Sequence, residues 1–151
     1  MSTLDGIDTK YLLLEVADRT LDAAGREAKR QEVLALIKGN SKKKVQKKCD
    51  QLFDWVQNGG KLNTVIVRTI RVLMSDGYLT SGINGNLYQD LLREPYTAGT
   101  ATSQASQMFS MLPMLKIALN DSKDRFVPNP DSMLLMKLNA GLGLTLGVSV
   151  C

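Results

Sequence analysis

Residues 41–56 read "SKKKVQKKCDQLFDWV", and two patterns are superimposed in that stretch. Val45, Cys49, Leu52, Phe53 and Val56 recur at spacings of 4, 3, 1 and 3, which draws one apolar stripe along an α-helix. Ser41 is a suitable N-cap, because its hydroxyl can accept from the first free amides. Lys43 and Lys47 point away from the stripe and Lys44 and Lys48 flank it, so the helix is amphipathic with a cationic outer side. From Lys38 onward, the first eleven positions hold six lysines and no acid. These lysines lie near the helix start, where the macrodipole disfavours positive charge. That small cost in stability favours a functional reason for the run.

The charge of the whole chain, +4, hides how local the excess is. Residues 38–71 carry nine basic groups against Asp50 and Asp54, or +7, and the remainder carries ten basic and thirteen acidic groups, or −3. A concentration of this kind suits an anionic partner such as nucleic acid, acidic lipid or an acidic protein.

Composition bounds the rest. The 151 residues allow one domain with a core, or two small helical lobes. Aromatics make up only 5%, so aliphatic residues and seven methionines must fill the interior. With no histidine, the commonest general base, the usual nucleophile pairs and the usual zinc ligands are missing. No acid pair compensates, because Asp5/Asp8 and Asp121/Asp124 read as helix-start or loop acids. No enzyme, metal site or cofactor is expected. Cys49 and Cys151 form no metal or redox motif, which fits free thiols in a reducing compartment. The first residues do not read as a secretory signal, and no eighteen-residue apolar run suggests a membrane span.

Along the chain, Leu12, Leu13, Val16, Ala17 and Leu21 predict a helix over 9–21. A second helix over 26–38 ends at Gly39-Asn40. After the turn Asn58-Gly59-Gly60, Asn63 or Thr64 caps a helix running through Met74. That helix is apolar around most of its circumference, with Thr64, Arg68, Arg71 and Ser75 on its one polar edge. Residues 75–86 read as a connector and 87–93 as a short helix. A further helix is expected from about residue 103 to 120, broken by Pro113, then a loop over 120–132. In the tail, "LLMKLNAGLGLTLGVSVC", apolar residues fall on even numbers, a pattern for strand with a hairpin near 139–141. The rival is a helix packed closely through small residues.

The order of Tyr11-Leu12-Leu13, a helix ended by Gly39, Leu52 and Trp55 in "LFDWVQN", Asn58, and Leu62 opening "KLNTVIVRTIRVL" resembles the start of the influenza-type (orthomyxovirus) matrix proteins. The resemblance covers about the first 75 residues. It implies an all-α fold of two small bundles, residues 1–78 and 100–151, joined by a linker with a short helix over 79–99. It also implies a helical tail over 133–151, with the β-hairpin as the alternative, and the absence of the family's C-terminal domain. A viral matrix role is implied as well: a protein that self-assembles beneath the envelope, binds acidic phospholipid membrane and contacts the viral ribonucleoprotein. Its places would be the virion, the host cytoplasm, the inner face of the membrane and the nucleus. Two features depart from the family. Its basic cluster in the second bundle has no counterpart in "MLPMLKIAL", and the lysine run stands where influenza sequences are mostly acidic.

The residues expected to meet anionic membrane or RNA are Lys38, Lys42, Lys43, Lys44, Lys47, Lys48, Arg68 and Arg71. The alternative function is a small helical nucleic-acid-binding subunit of a ribonucleoprotein complex. A third is a helical adaptor for an acidic protein partner.

Overall fold

In the computed structural model, which describes residues 7–40, 42–59, 61–93 and 96–142, the opening stretch forms helix α2, Lys43–Asn58. Ser41 lies outside the described residues, and Lys42 occupies the N-cap position without a side-chain cap. Val45, Cys49, Leu52 and Phe53 are wholly closed to solvent, so the stripe is the buried side of the helix. Each such aliphatic or aromatic side chain contributes roughly 1.5–3 kcal/mol of burial. Gly59 stops the helix in the left-handed conformation (φ 74°), its amide donating back to Trp55 O.

Helix α1 spans Ala23–Lys38, capped by Asp22, whose carboxylate accepts from Gly25 N at 2.7 Å. Helix α3, Thr64–Asp76, starts where Asn63 Oδ1 accepts from Val65 N and Ile66 N. Helix α4 is Asn86–Arg93. Helix α5, Ala98–Met114, starts from a Thr97 cap, earlier than the sequence suggests, and closes one residue past Pro113. Its end is a paired turn in which Ile117 N donates to Leu112 O and Lys116 N to Pro113 O. Lys116 occupies the left-handed position with φ 59°.

The chain is mainly helical, but the all-α expectation is corrected by a three-stranded antiparallel sheet. Strands β1 (Leu79–Thr80), β2 (Ala118–Ser122) and β3 (Arg125–Pro128) lie in the order β1-β3-β2. Leu79 pairs with Phe126 and Leu119 with Val127, and the register slips between Asn120 and Ser122. Both expected loops, 75–86 and 120–132, therefore contribute strands. Little of β2 is buried beyond Ala118, so it carries almost no apolar signal, and Pro128 sits at a strand end where its missing donor is harmless.

The expected helix over 9–21 is also corrected. Short 3-10 turns occupy Thr9–Leu12 and Val16–Thr20 instead. Asp18 Oδ2 accepts from both Leu14 N and Glu15 N at 3.0 Å, taking amides that a continuous helix would need. Val16 N donates to Asp131 O, and Met133 N to Leu14 O, tying this segment to the start of the last helix.

That last helix, α6, is Met133–Leu142, so the strand reading fails for these residues; residues 143–151 lie outside the described chain. Leu134, Leu135 and Leu138 enter the core. One hydrophobic cluster links these leucines with α1, α2, α3, α4, α5 and Phe126 of the sheet. Gly141 lies against the Trp55 indole, where a Cβ would come within 2.5 Å of the ring.

This close approach generates a prediction. Gly141→Ala should cost about 1–3 kcal/mol through overpacking, whereas Gly99→Ala, with open space around it in α5, should gain up to about 1 kcal/mol. Urea denaturation of the two variants against the parent checks the difference in sign.

Candidate cationic contact face

The first turns of α2 and the end of α1 form a single corner. Gln46 Nε2 donates to Asn40 O at 2.6 Å, and Asn40 Oδ1 accepts from Lys42 N at 2.8 Å, so the turn between the helices is locked against α2. Lys38 stands exposed at the end of α1, where the dipole favours a cation. Lys42, Lys43, Lys44 and Lys47 are exposed on the beginning of α2. Lys42 Nζ reaches Ser106 Oγ on α5 at 3.4 Å. Among the described residues, none of Lys42, Lys43, Lys44 and Lys47 is ion-paired with a carboxylate. What results is a solvated plate of ammonium groups on a half-buried helix.

Lys48, grouped with these lysines in the sequence, is set apart from that plate by burial. It is only 7% exposed and donates from Nζ to Gln107 Oε1 on α5. Gln107, itself buried, donates from Nε2 to Ser103 Oγ at 3.2 Å. Burial in the α2–α5 interface holds the Lys48 ammonium below its ordinary pKa of 10.5, and the nearby charges of Lys44 and Lys47 push the same way. Next to it, burial raises the Cys49 thiol to about 12, with the Asp50 carboxylate adding to the rise, so Cys49 is an inert core residue.

Arg68 and Arg71 lie elsewhere. They project from α3 toward α4 and line a groove of about 840 Å³ to which none of the lysines contributes. Arg68 Nε donates to Asp90 Oδ2 at 3.0 Å, with both side chains largely shielded, and its guanidinium lies over the Tyr96 ring at 5.5 Å. Arg93 also donates to the Asp90 carboxylate. Arg71 is exposed on the groove wall. The sequence therefore placed two kinds of cation in one set, and the fold divides them into an open lysine face and an arginine-lined groove. Sequence reading missed Asp90, Arg93 and Tyr96. Nothing in the short α4 pattern points across 22 residues to Arg68.

Among the described residues, no three His, Cys, Asp or Glu side chains gather as a metal site would need, and no helix is long and apolar enough to cross a membrane. Compared with protein-family models, curated proteins and solved structures, the chain matches none.

Lys48 supplies a prediction with a defined sign. Its pKa is lower in the folded than in the unfolded chain, so the folded state binds fewer protons and stability rises as pH climbs toward 10.5. Lys48→Met combined with Gln107→Leu removes the desolvated charge together with its buried acceptor. The pair should leave stability at neutral pH unchanged or raise it by about 1 kcal/mol and flatten this alkaline rise. Gln107→Leu strands the ammonium and should destabilise by about 1–3 kcal/mol. Denaturant midpoints between neutral pH and pH near 10.5 check all three curves.

Proposed function

We propose that this chain is a structural adhesion protein that attaches to acidic phospholipid membrane through Lys42, Lys43, Lys44 and Lys47, with Lys38 at the margin of the contact. The observation carrying this reading is the exposure of Lys43, Lys44 and Lys47, none ion-paired with a described carboxylate, on a helix whose other side is closed to solvent. A lysine held near an anionic bilayer contributes about 1 kcal/mol, so four or five give reversible attachment without any inserted segment. Because the helix is anchored in the core, little side-chain or backbone order has to be created on contact beyond the lysine stems themselves.

The likeness to influenza-type matrix proteins supplies the wider role: lateral self-assembly into a layer beneath a viral envelope, with the ribonucleoprotein as a further partner. In that reading residues 1–78 and 100–151 are two helical groups with 79–99 between them, and α4 belongs to the connecting stretch. The lysine face then looks outward from the first group. No bond-making chemistry is assigned to the chain.

The test keeps Lys48 untouched, since it is part of the packing. Lys43→Ser, Lys44→Ser and Lys47→Ser together should leave folding intact and abolish co-sedimentation with phosphatidylserine-rich vesicles. The parent chain should release from those vesicles as salt shortens the Debye length from about 10 Å at 0.1 M to about 3 Å at 1 M. Electron microscopy of parent-coated vesicles should show a continuous protein layer. Pelleting of the triple variant at the parent's level overturns the lysine assignment. If the parent ignores vesicles yet holds single-stranded RNA, with a log–log salt slope of about −0.7 per phosphate, the nucleic-acid reading replaces this one.

A further inference from the structure

We propose that the groove between α3 and α4 is a second anion site, one that takes a phosphate group carried by a nucleotide-sized ligand. The polar edge of α3 forms one wall, with Thr64, Arg68, Arg71 and Ser75 following each other at helical spacing. Arg93 and Tyr96 lie opposite, and Leu62, Val67 and Val72 add apolar lining. At about 840 Å³ the space falls in the range of small-ligand sites, roughly 300–1,000 Å³.

The arrangement of the guanidinium groups identifies the ligand chemistry. Asp90 already accepts from Arg68 through Oδ2 and from Arg93 through Oδ1, so two forks converge on a single carboxylate. A guanidinium that donates to a carboxylate oxygen can donate in the same way to a phosphate oxygen. A third guanidinium, Arg71, stands exposed on the same wall. It takes part in no hydrogen bond or ion pair with any described residue. Among the described residues, three guanidinium groups thus meet two carboxylates, Asp76 and Asp90, along this lining, which is one positive charge in excess. Asp76 is further engaged at one end, accepting from Asn86 Nδ2 at 3.0 Å. Tyr96 lies beneath the Arg68 guanidinium and adds a flat aromatic surface beside the cations. A diffuse lysine plate suits an extended charged surface; this groove is bounded and forked, and it suits one phosphorylated group.

Such a phosphate can arrive on a free nucleotide or on a lipid headgroup, and the experiment has an arm for each. ATP without added metal is titrated into the full chain and followed by amide NMR shifts and calorimetry. In the second arm, vesicles containing phosphatidic acid are compared with vesicles of the same charge made with phosphatidylserine. Binding should shift amides around Arg71, Ser75, Arg93 and Tyr96. Arg71→Gln should weaken it roughly tenfold or more, as loss of one charge-assisted pair requires. The Lys43, Lys44 and Lys47 triple variant should keep the parent's ATP affinity. ATP binding that depends on Arg71 assigns a free ligand. Selective phosphatidic-acid binding that depends on Arg71, without ATP binding, assigns a headgroup. The proposal is overturned if neither probe binds, if Arg71→Gln binds as the parent does, or if the lysine triple variant loses ATP as strongly. The last result would place the anion on α2 and leave the adhesion reading to its own vesicle test.

Discussion

Burial of one side of α2 sets the phase of what surrounds it. That helix packs on α1, α5 and the Thr9–Leu12 turn, and its stripe of Val45, Cys49, Leu52 and Phe53 admits no solvent. Once those residues are fixed inward, helical geometry leaves Lys43, Lys44 and Lys47 pointing out. Lys48, three residues after Val45 and four before Leu52, stands at the edge of that stripe, where α5 covers it. A charge there is costly unless an acceptor is provided, and Gln107 of α5 provides one. The ammonium thereby joins α2 to α5 by a directional contact within their packed interface.

The parts legible from the sequence are those where local and global demands agree. The stripe of α2, the Asn63 cap of α3, the glycine ends and the polar edge of α3 were all readable because periodicity and capping chemistry point the same way. The outward placement of Lys43 and Lys47 followed from that periodicity. Lys48 did not, because a lysine beside a stripe normally extends its head to water, and only the approach of α5 closes that exit. The tail misled for a related reason. Apolar residues on even numbers include Leu134 and Leu138, which are four apart, so one series satisfies the alternation of a strand and the repeat of a helix together. The loops that became strands carry charges, prolines and mostly exposed positions. Their pairing depends on long-range contacts such as Leu79 with Phe126, which no local pattern encodes. At the groove, Arg68 and Arg71 stood out by charge, but Asp90 and Tyr96 acquire meaning only when α4 folds back on α3.

The two cationic zones differ in kind, and the difference follows from residue chemistry. Lysine presents a compact, strongly hydrated charge on a flexible stem, suited to an extended anionic surface whose groups are not fixed in position. Arginine presents a planar fork, here oriented by Asp90 and Tyr96, suited to a single group with defined oxygens. The positive excess between residues 38 and 71 is thus shared between α2 and α3, which hand it to two separate sites. The core beneath both is one continuous cluster.

The central claim is that α2 displays Lys43, Lys44 and Lys47 for adhesion while Lys48 is held inside. Residue-resolved acetylation kinetics of the lysines, read by mass spectrometry with and without phosphatidylserine-rich vesicles, tests it most directly. The account predicts fast modification of the three outer lysines in the free protein, strong protection of the same three on vesicles, and slow modification of Lys48 in both conditions. Modification of Lys48 at the rate of Lys47, or outer lysines whose rates the vesicles leave unchanged, would contradict it.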